Sequence, residues 1–99
     1  MTTPAGKPAH AIVTMTITSP DSLAQYREKA ADALSRHGGS VLQASATLDL
    51  LEGGPDLPTM AAVLSFPRRE DALAWIEDPE LAPVHALRRG SGHSTIVLL

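Results

Sequence analysis

Two segments of the chain alternate apolar and polar residues, and each leads into a segment with helical spacing. The first alternating segment covers residues 9–18 and the second covers residues 59–66. A period of two predicts half-buried strands, because successive side chains of a strand point to opposite faces. The same period predicts strands over residues 40–51 and 93–99. Four strands are therefore predicted, each with one apolar face and one mixed face.

Apolar residues at three- and four-residue steps predict helices between these strands. Ser19 is the expected N-cap of the first helix, and Gly38 suits its C-terminal end because glycine adopts left-handed backbone without strain. The second helix is predicted from about residue 67 to residue 77. Asp78-Pro79 should interrupt it, since proline disfavours helical geometry in the preceding residue. A short third helix is predicted over residues 80–89.

The order of these elements, β-α-β followed by β-α-β, predicts an α+β fold of the ferredoxin-like type. We expect a four-stranded antiparallel sheet with the helices on one face, built from residues 9–99 as a single domain. Residues 1–8 contain two prolines, a glycine and two threonines, and are expected to form a flexible tail.

Composition narrows the classes of function. A chain of 99 residues is expected to form one domain, and it is a candidate for gaining stability by oligomerising, because so small a domain buries only about 60–65% of its unfolded surface. The net charge of −3 disfavours nucleic-acid binding. The chain has no cysteine, which excludes disulfides and thiolate chemistry. Since no apolar stretch is long enough to span a membrane and the N-terminal segment is polar, a cytoplasmic protein is expected.

The mixed face of the predicted sheet indicates a homodimer. It combines threonines, serines and histidines with Ile12, Val63 and Val97, which is too apolar for an open surface and too polar for a dry core. A second copy would cover it. The alternative is a solvated sheet face with scattered apolar residues, which is common.

The opposite, helix-facing side carries small residues where a packed core would use larger ones. They are Ala11, Ala44, Ala46 and Ala62. Such a surface, with Met15 on the same side of the first strand, predicts an apolar hollow under the helices that could bind a small apolar metabolite. The candidate binding residues are Trp75, His85, Ala44, Ala46 and Met15. The alternative is that large side chains fill the space, since protein interiors pack densely.

Four side chains are candidates for chemistry, and each has a structural alternative. His37 at the end of the first helix is a candidate general acid or base, or a residue that interacts with the last carbonyls. Tyr26 could orient a ligand carbonyl or sit in the core with its hydroxyl bonded. Trp75 could wall the pocket or simply pack, and His85 could line the pocket or cover the surface. No metal site is predicted, because His10, His93 and Asp49 lack local ligand spacing.

Several short motifs, in order and spacing, resemble the bacterial proteins described as domain of unknown function 1330, within the dimeric α+β barrel superfamily. The matching pieces are Ser19-Pro20-Asp21, Tyr26-Arg27, His37-Gly38-Gly39, Leu51-Glu52-Gly53, Phe66-Pro67, Ala72, Ala74-Trp75, Asp78-Pro79-Glu80 and Leu87-Arg88. The resemblance implies a ferredoxin-like fold and a homodimer whose two sheets form a barrel. The superfamily also includes cofactor-free monooxygenases, polyketide cyclases and isomerases, often of secondary metabolism.

Departures from the family pattern predict a more apolar pocket. His37 replaces a tyrosine, Gln43-Ala44-Ser45 replaces an arginine-glycine-glycine segment, Ile76 replaces an aromatic residue and Leu81 replaces a tyrosine. One hypothesis is an enzyme that needs no cofactor, a cyclase, isomerase or oxygenase acting on an apolar small metabolite. In it, His37 and Tyr26 are catalytic. The second hypothesis is a non-catalytic dimer that binds a small molecule or serves a structural role.

Overall fold

The computed structural model describes residues 8–54 and 56–99, so the tail expected at residues 1–8 lies almost wholly outside the described residues. Its elements follow the predicted order. They are β1 (Ala9–Ile17), α1 (Pro20–Ser35), β2 (Ser40–Ser45), β3 (Met60–Phe66), α2 (Arg69–Glu77), a single 3₁₀ turn (Pro79–Leu81), α3 (Ala82–Gly90) and β4 (Gly92–Leu98).

The four strands form one antiparallel sheet in the order β2-β3-β1-β4, which confirms the predicted ferredoxin-like arrangement. In the register, Ile12 lies opposite Val63 on one side and Val97 on the other. Ala11 and Met15 alternate with Ile12 and are buried, so they lie on the face that the helices cover. We call the other face, which carries Ile12 and its two partners, the open face.

Local signals place α1 as the sequence predicts. The Ser19 hydroxyl accepts a hydrogen bond from the backbone N–H of Ser22, and Pro20 occupies the first turn. Gly38 has a φ of +73°, the left-handed conformation that ends many helices. The next backbone N–H, that of Gly39, returns to the carbonyl of Leu34 at 2.8 Å. The chain therefore reverses within a few residues and enters β2.

The prediction that β2 extends to Leu51 is wrong, because the strand ends at Ser45. Residues 46–50 do alternate, but β3 begins only at Met60 and offers them no partner. A bulge also interrupts β2: Val41 pairs with Leu64 and Gln43 with Val63, which leaves the residue between them unpaired.

The core lies between the sheet and the helices. The rings of Phe66 and Trp75 meet there with centroids 5.5 Å apart. Leu34 on α1 and Leu81 after α2 belong to the same buried cluster. Gly92, with a φ of +150°, starts β4 directly against the backbone of β1, where a side chain would overlap the carbonyl oxygen of Thr16. Glycine is therefore required at this close approach.

Candidate functional site

A hollow of about 190 Å³ lies between α2 and the β1–β4 half of the sheet. All of its lining residues are apolar. They are Ala11, Ala72, Leu73, Trp75, Ile76, Ile96 and Leu98. We call this cavity the α2 hollow. An apolar cavity next to a few convergent polar groups is the usual composition of a small-molecule site.

The spacing of α2 places Trp75 at the hollow. Ala72 and Trp75 are three residues apart and both are buried, so they share the face that meets the sheet. The helix stops directly afterwards because Asp78 takes an extended conformation before Pro79. The Asp78 carboxylate then accepts a hydrogen bond from the backbone N–H of Glu80 at 2.9 Å, which starts the following turn.

Trp75 also belongs to a cluster formed by the buried Trp75, His85 and Arg88 and the partly buried Tyr26, which we call the Arg88 cluster. The Arg88 guanidinium carbon lies 5.5 Å from the centroid of the Trp75 ring and 5.8 Å from that of Tyr26. His85 meets Trp75 edge-on, with centroids 4.9 Å apart. The side chains come from α1, α2 and α3, so the cluster joins all three helices next to the hollow.

The hydrogen bonds of His85 fix its tautomer. Nη1 of Arg88 lies 2.7 Å from Nδ1 of His85, and a guanidinium can only donate. Nδ1 therefore accepts, and Nε2 carries the proton that is donated to the backbone carbonyl of Trp75 at 2.9 Å. Burial lowers the pKa of His85, and the charge of Arg88 lowers it further. His85 is thus a neutral imidazole, both of whose nitrogens are engaged.

His37 lies at a separate point, where α1 approaches the end of α2. Its Nε2 is 2.8 Å from Oδ2 of Asp78, and about a fifth of its side chain is exposed. The hydrogen bond from His37 lowers the pKa of the Asp78 carboxyl, with the backbone N–H of Glu80 acting in the same direction. Arg36 contacts both Asp78, at 4.0 Å, and Glu80, at 2.6 Å. An imidazole held by a carboxylate in this way can accept or donate a proton at its other nitrogen.

The structure brings some of the predicted site residues together and separates others. Trp75 lines the α2 hollow, and Tyr26 and His85 adjoin it through the Arg88 cluster. Met15 is buried in the core on the same face of the sheet.

Ala44 and Ala46 lie elsewhere. Ala44 lines a second hollow, of about 250 Å³, on the open face together with Ile12 and Val63. Ala46 is exposed in the irregular segment after β2. The alanines that predicted one space under the helices therefore do not share one: Ala11 lines the α2 hollow, Ala44 and Ala62 line the second hollow, and Ala46 lines neither.

Arg88 is the residue of this site that sequence reasoning missed. Its signal was present, because Leu81, His85 and Arg88 follow one another at four- and three-residue steps. That spacing puts Arg88 on the same buried face as Leu81. A buried arginine is rare enough to count as a functional candidate.

Among residues 8–54 and 56–99, none of the helices is both long and apolar enough to cross a membrane. Within the same residues, no three histidine, aspartate or glutamate side chains come together as a potential metal site.

A family model described as a domain of unknown function (DUF1330) matches residues 8–99 of the chain. No curated protein matches it significantly. Among solved structures, the chain is similar to a protein of unknown function from Rhodopseudomonas palustris, with 19% identity and a TM-score of 0.71 over 93% of this chain and 80% of that chain.

Two other solved structures share the fold. SnoaB, a cofactor-independent oxygenase from Streptomyces nogalater, has 13% identity and a TM-score of 0.66 over 93% of this chain and 90% of its own. A dimeric ferredoxin-like protein of unknown function from a Jannaschia species has 13% identity and a TM-score of 0.64, over 93% of this chain and 97% of its own. At such identities the likeness establishes the fold alone.

Proposed function

The chain belongs to the DUF1330 family, and from its site we propose that it is a homodimer that binds a small apolar metabolite and transforms it without a bound cofactor. The reaction would be that of an oxygenase, cyclase or isomerase. The observation that carries the proposal is the α2 hollow, an apolar cavity of about 190 Å³ bordered by Trp75 next to buried polar side chains. SnoaB, which has the same fold, is a cofactor-independent oxygenase, and this supports the proposal by analogy of fold.

The open face supports the homodimer. Val63, Ile12 and Val97 form an apolar row across three adjacent strands, and half of Val97 is exposed in the single chain. A second copy packed on this face would bury the row. The Jannaschia protein of the same fold is described as dimeric. Two sheets facing each other would leave the helices, and with them both α2 hollows, on the outside.

His37 and Tyr26 are the proposed catalytic residues. His37 lies apart from the α2 hollow, so it would move a proton on a part of the substrate that extends beyond the hollow, since Asp78 holds its Nε2 and leaves Nδ1. Tyr26 would orient the bound molecule from the side of the Arg88 cluster, and Trp75 would form the apolar wall.

One specific observation favours the alternative, a dimer that binds a small molecule without transforming it. Every residue that lines the α2 hollow is apolar. His37 is engaged with Asp78, and both nitrogens of His85 are engaged with protein partners. Binding without turnover therefore remains a second candidate function.

Native mass spectrometry of the purified protein tests the proposed dimer and the proposed binding of a small molecule together. We expect a dimer that retains a small molecule from the cell. Incubation of that molecule with the protein in air then separates the reaction types, because an oxygenase consumes oxygen whereas a cyclase or isomerase does not.

The His37→Ala variant should remain dimeric and lose turnover, and Asp78→Asn should lower turnover. Retained turnover in His37→Ala would remove His37 from the mechanism. A monomer without any bound molecule would contradict both the dimer and the site. A bound molecule that is returned unchanged would favour the binding protein.

A further inference from the structure

The guanidinium of Arg88 is buried without a carboxylate. Only 3% of the residue is exposed, and none of the ion pairs among the described residues includes it. Residues 1–7 and Pro55 contain no aspartate or glutamate, so they have no side-chain carboxylate to supply. The nearby carboxylate of Asp78 is already bound by His37 and approached by Arg36.

Two buried hydrogen-bond donors of the Arg88 cluster have no acceptor among the described residues. Nη1 donates to the neutral His85, but Nε has no partner among the described residues. The indole Nε1 of Trp75, also buried, has none either. Because the Arg88 guanidinium carbon lies 5.5 Å from the centroid of the Trp75 ring, both unused donors belong to one cluster.

A negatively charged oxygen bound here would balance the positive charge of Arg88 and accept hydrogen bonds from the two unused N–H groups. Buried charges are normally paired, since a lone charge is costly in a low-dielectric interior. The paired donors of a guanidinium match the oxygens of a carboxylate or a phosphate, and a carboxylate, with one negative charge, balances the single charge of Arg88. Trp75 connects this cluster to the α2 hollow, because it lines the hollow and its ring contacts Arg88.

We propose that the α2 hollow takes a small apolar carboxylic acid, whose carboxylate is bound by Arg88 and by the indole N–H of Trp75. The inference rests on the proposed function of the hollow and adds the class of ligand. An apolar cavity of about 150 Å³ can hold benzene. The hollow, at about 190 Å³, therefore suits the body of a single-ring acid.

The single tryptophan gives a direct test. In ¹⁵N-labelled protein, the indole N–H of Trp75 is one resolved resonance, and the Nε–H of Arg88 is a second reporter. The probes are two pairs of matched shape, benzoate with benzamide and phenylacetate with phenylacetamide. We expect at least one acid to shift both resonances and to bind about tenfold more tightly than its amide, the size of one charge-assisted hydrogen bond.

Substitution of Arg88 separates ligand binding from folding. In Arg88→Met the acid and its amide should bind equally, while the Tm of the free protein stays unchanged or rises, because an unpaired buried charge has been removed. The adjacent and exposed Arg89 gives the matched control. Arg89→Met makes the same change in net charge and should keep the preference for the acid. Arg88→Lys keeps the charge but loses the paired donors of the planar guanidinium, and its preference for the acid over the amide should be smaller than that of the wild type.

The other outcomes overturn the proposal in distinguishable ways. Equal binding of acid and amide by the wild type would mean that a buried water completes the cluster; the hollow would remain as a site for apolar molecules. A preference for the acid that persists in Arg88→Met, or is undiminished in Arg88→Lys, would remove Arg88 from recognition. A lower Tm in Arg88→Met together with loss of amide binding would make Arg88 a structural residue. If none of the four probes binds, both this inference and the proposed function of the hollow fail.

Discussion

The Nε2 nitrogen of His85 donates a hydrogen bond to the backbone carbonyl of Trp75 at 2.9 Å, and this bond joins α3 to α2. The same imidazole accepts a hydrogen bond from Arg88 at its other nitrogen. A protonated ring could not accept, so folding favours the neutral form. This relationship couples the packing of two helices to the protonation of one side chain.

The stability of the protein should fall in mild acid because of His85. Burial holds the folded-state pKa of His85 below its ordinary value of 6.5, so the unfolded chain binds more protons as the pH drops below about 6.5. The free energy of unfolding therefore decreases from about pH 6.5 down to the folded-state pKa, by at most about 1.4 kcal/mol per pH unit. Urea unfolding at a series of pH values should show this slope. It should flatten in His85→Gln and persist in His93→Gln, which removes an exposed imidazole.

A second acid dependence is expected at Asp78. The hydrogen bond from His37 holds the pKa of this carboxyl below its ordinary value of about 3.8. Its contribution to stability is therefore present above pH 3.8 and is lost as the pH falls through the folded-state pKa. Asp78→Asn should be less stable than the wild type at neutral pH, and the two unfolding curves should converge in strong acid. Asp49→Asn, at an exposed position, should follow the wild type throughout. A deficit in Asp78→Asn that does not change with pH would contradict the ionic origin.

Filling the α2 hollow should abolish binding without harming the fold. Ala72→Leu adds three carbon atoms to a residue that lines the cavity. We expect at least a tenfold loss of affinity for a small-molecule ligand and a free energy of unfolding that is unchanged or higher by up to about 1 kcal/mol, as cavity-filling substitutions give. Ala74→Leu, at an exposed position on the same helix, is the control. Calorimetric titration and thermal unfolding measure the two quantities, and full affinity in Ala72→Leu would place the ligand elsewhere.

A side chain at Gly92 should be strongly destabilising. The residue combines a φ of +150° with a direct approach to the backbone of Thr16. Gly92→Ala should therefore lower the free energy of unfolding by at least about 2 kcal/mol, since β1 or β4 must shift. Gly54→Ala has open space around it and no positive φ, and should change stability little. Denaturant unfolding compares the two. Equal stability of both variants would show that the β1–β4 pairing adapts.

A charge on the open face should split the proposed dimer. Val97 is half exposed in the single chain and lies opposite Ile12. In Val97→Glu, dimer formation would bury an unpaired carboxylate, so the dimer dissociation constant should rise at least about tenfold. Sedimentation velocity measures it. Ala24→Glu, on the exposed side of α1, should remain dimeric. A dimer of unchanged strength in Val97→Glu would place the interface on another surface.

The sequence predicted those elements whose signals are local. The cap at Ser19, the glycine at Gly38 and the break at Asp78-Pro79 each act within a few residues, and all three hold in the structure. The end of β2 depends instead on where β3 begins. Alternation after Ser45 shows that the segment could be a strand, but pairing requires a partner that β3 does not extend to provide.

The candidate site was less predictable, because its members come from separate elements. Trp75 and His85 were anticipated as binding residues, yet their contact with Arg88 depends on how α1, α2 and α3 pack together. The partner of His37, forty-one residues further along the chain, likewise becomes visible only once the ends of two helices meet. Periodicity assigns a residue to a face, but it does not say which face of another element it will meet.

The bulge gives the edge strand β2 one residue more than its pairing with β3 uses. Leu42 is the unpaired residue, while Gln43 lies opposite Val63 and Ala44 lies opposite Ala62. Loss of Leu42 would remove the bulge and leave both of these pairs unchanged, because Val41 opposite Leu64 followed directly by Gln43 opposite Val63 is the regular antiparallel register. A single-codon deletion at Leu42 should therefore be tolerated, whereas the same deletion within β1, which is paired on both sides without a surplus residue, would turn the side chains beyond it to the opposite face of the sheet.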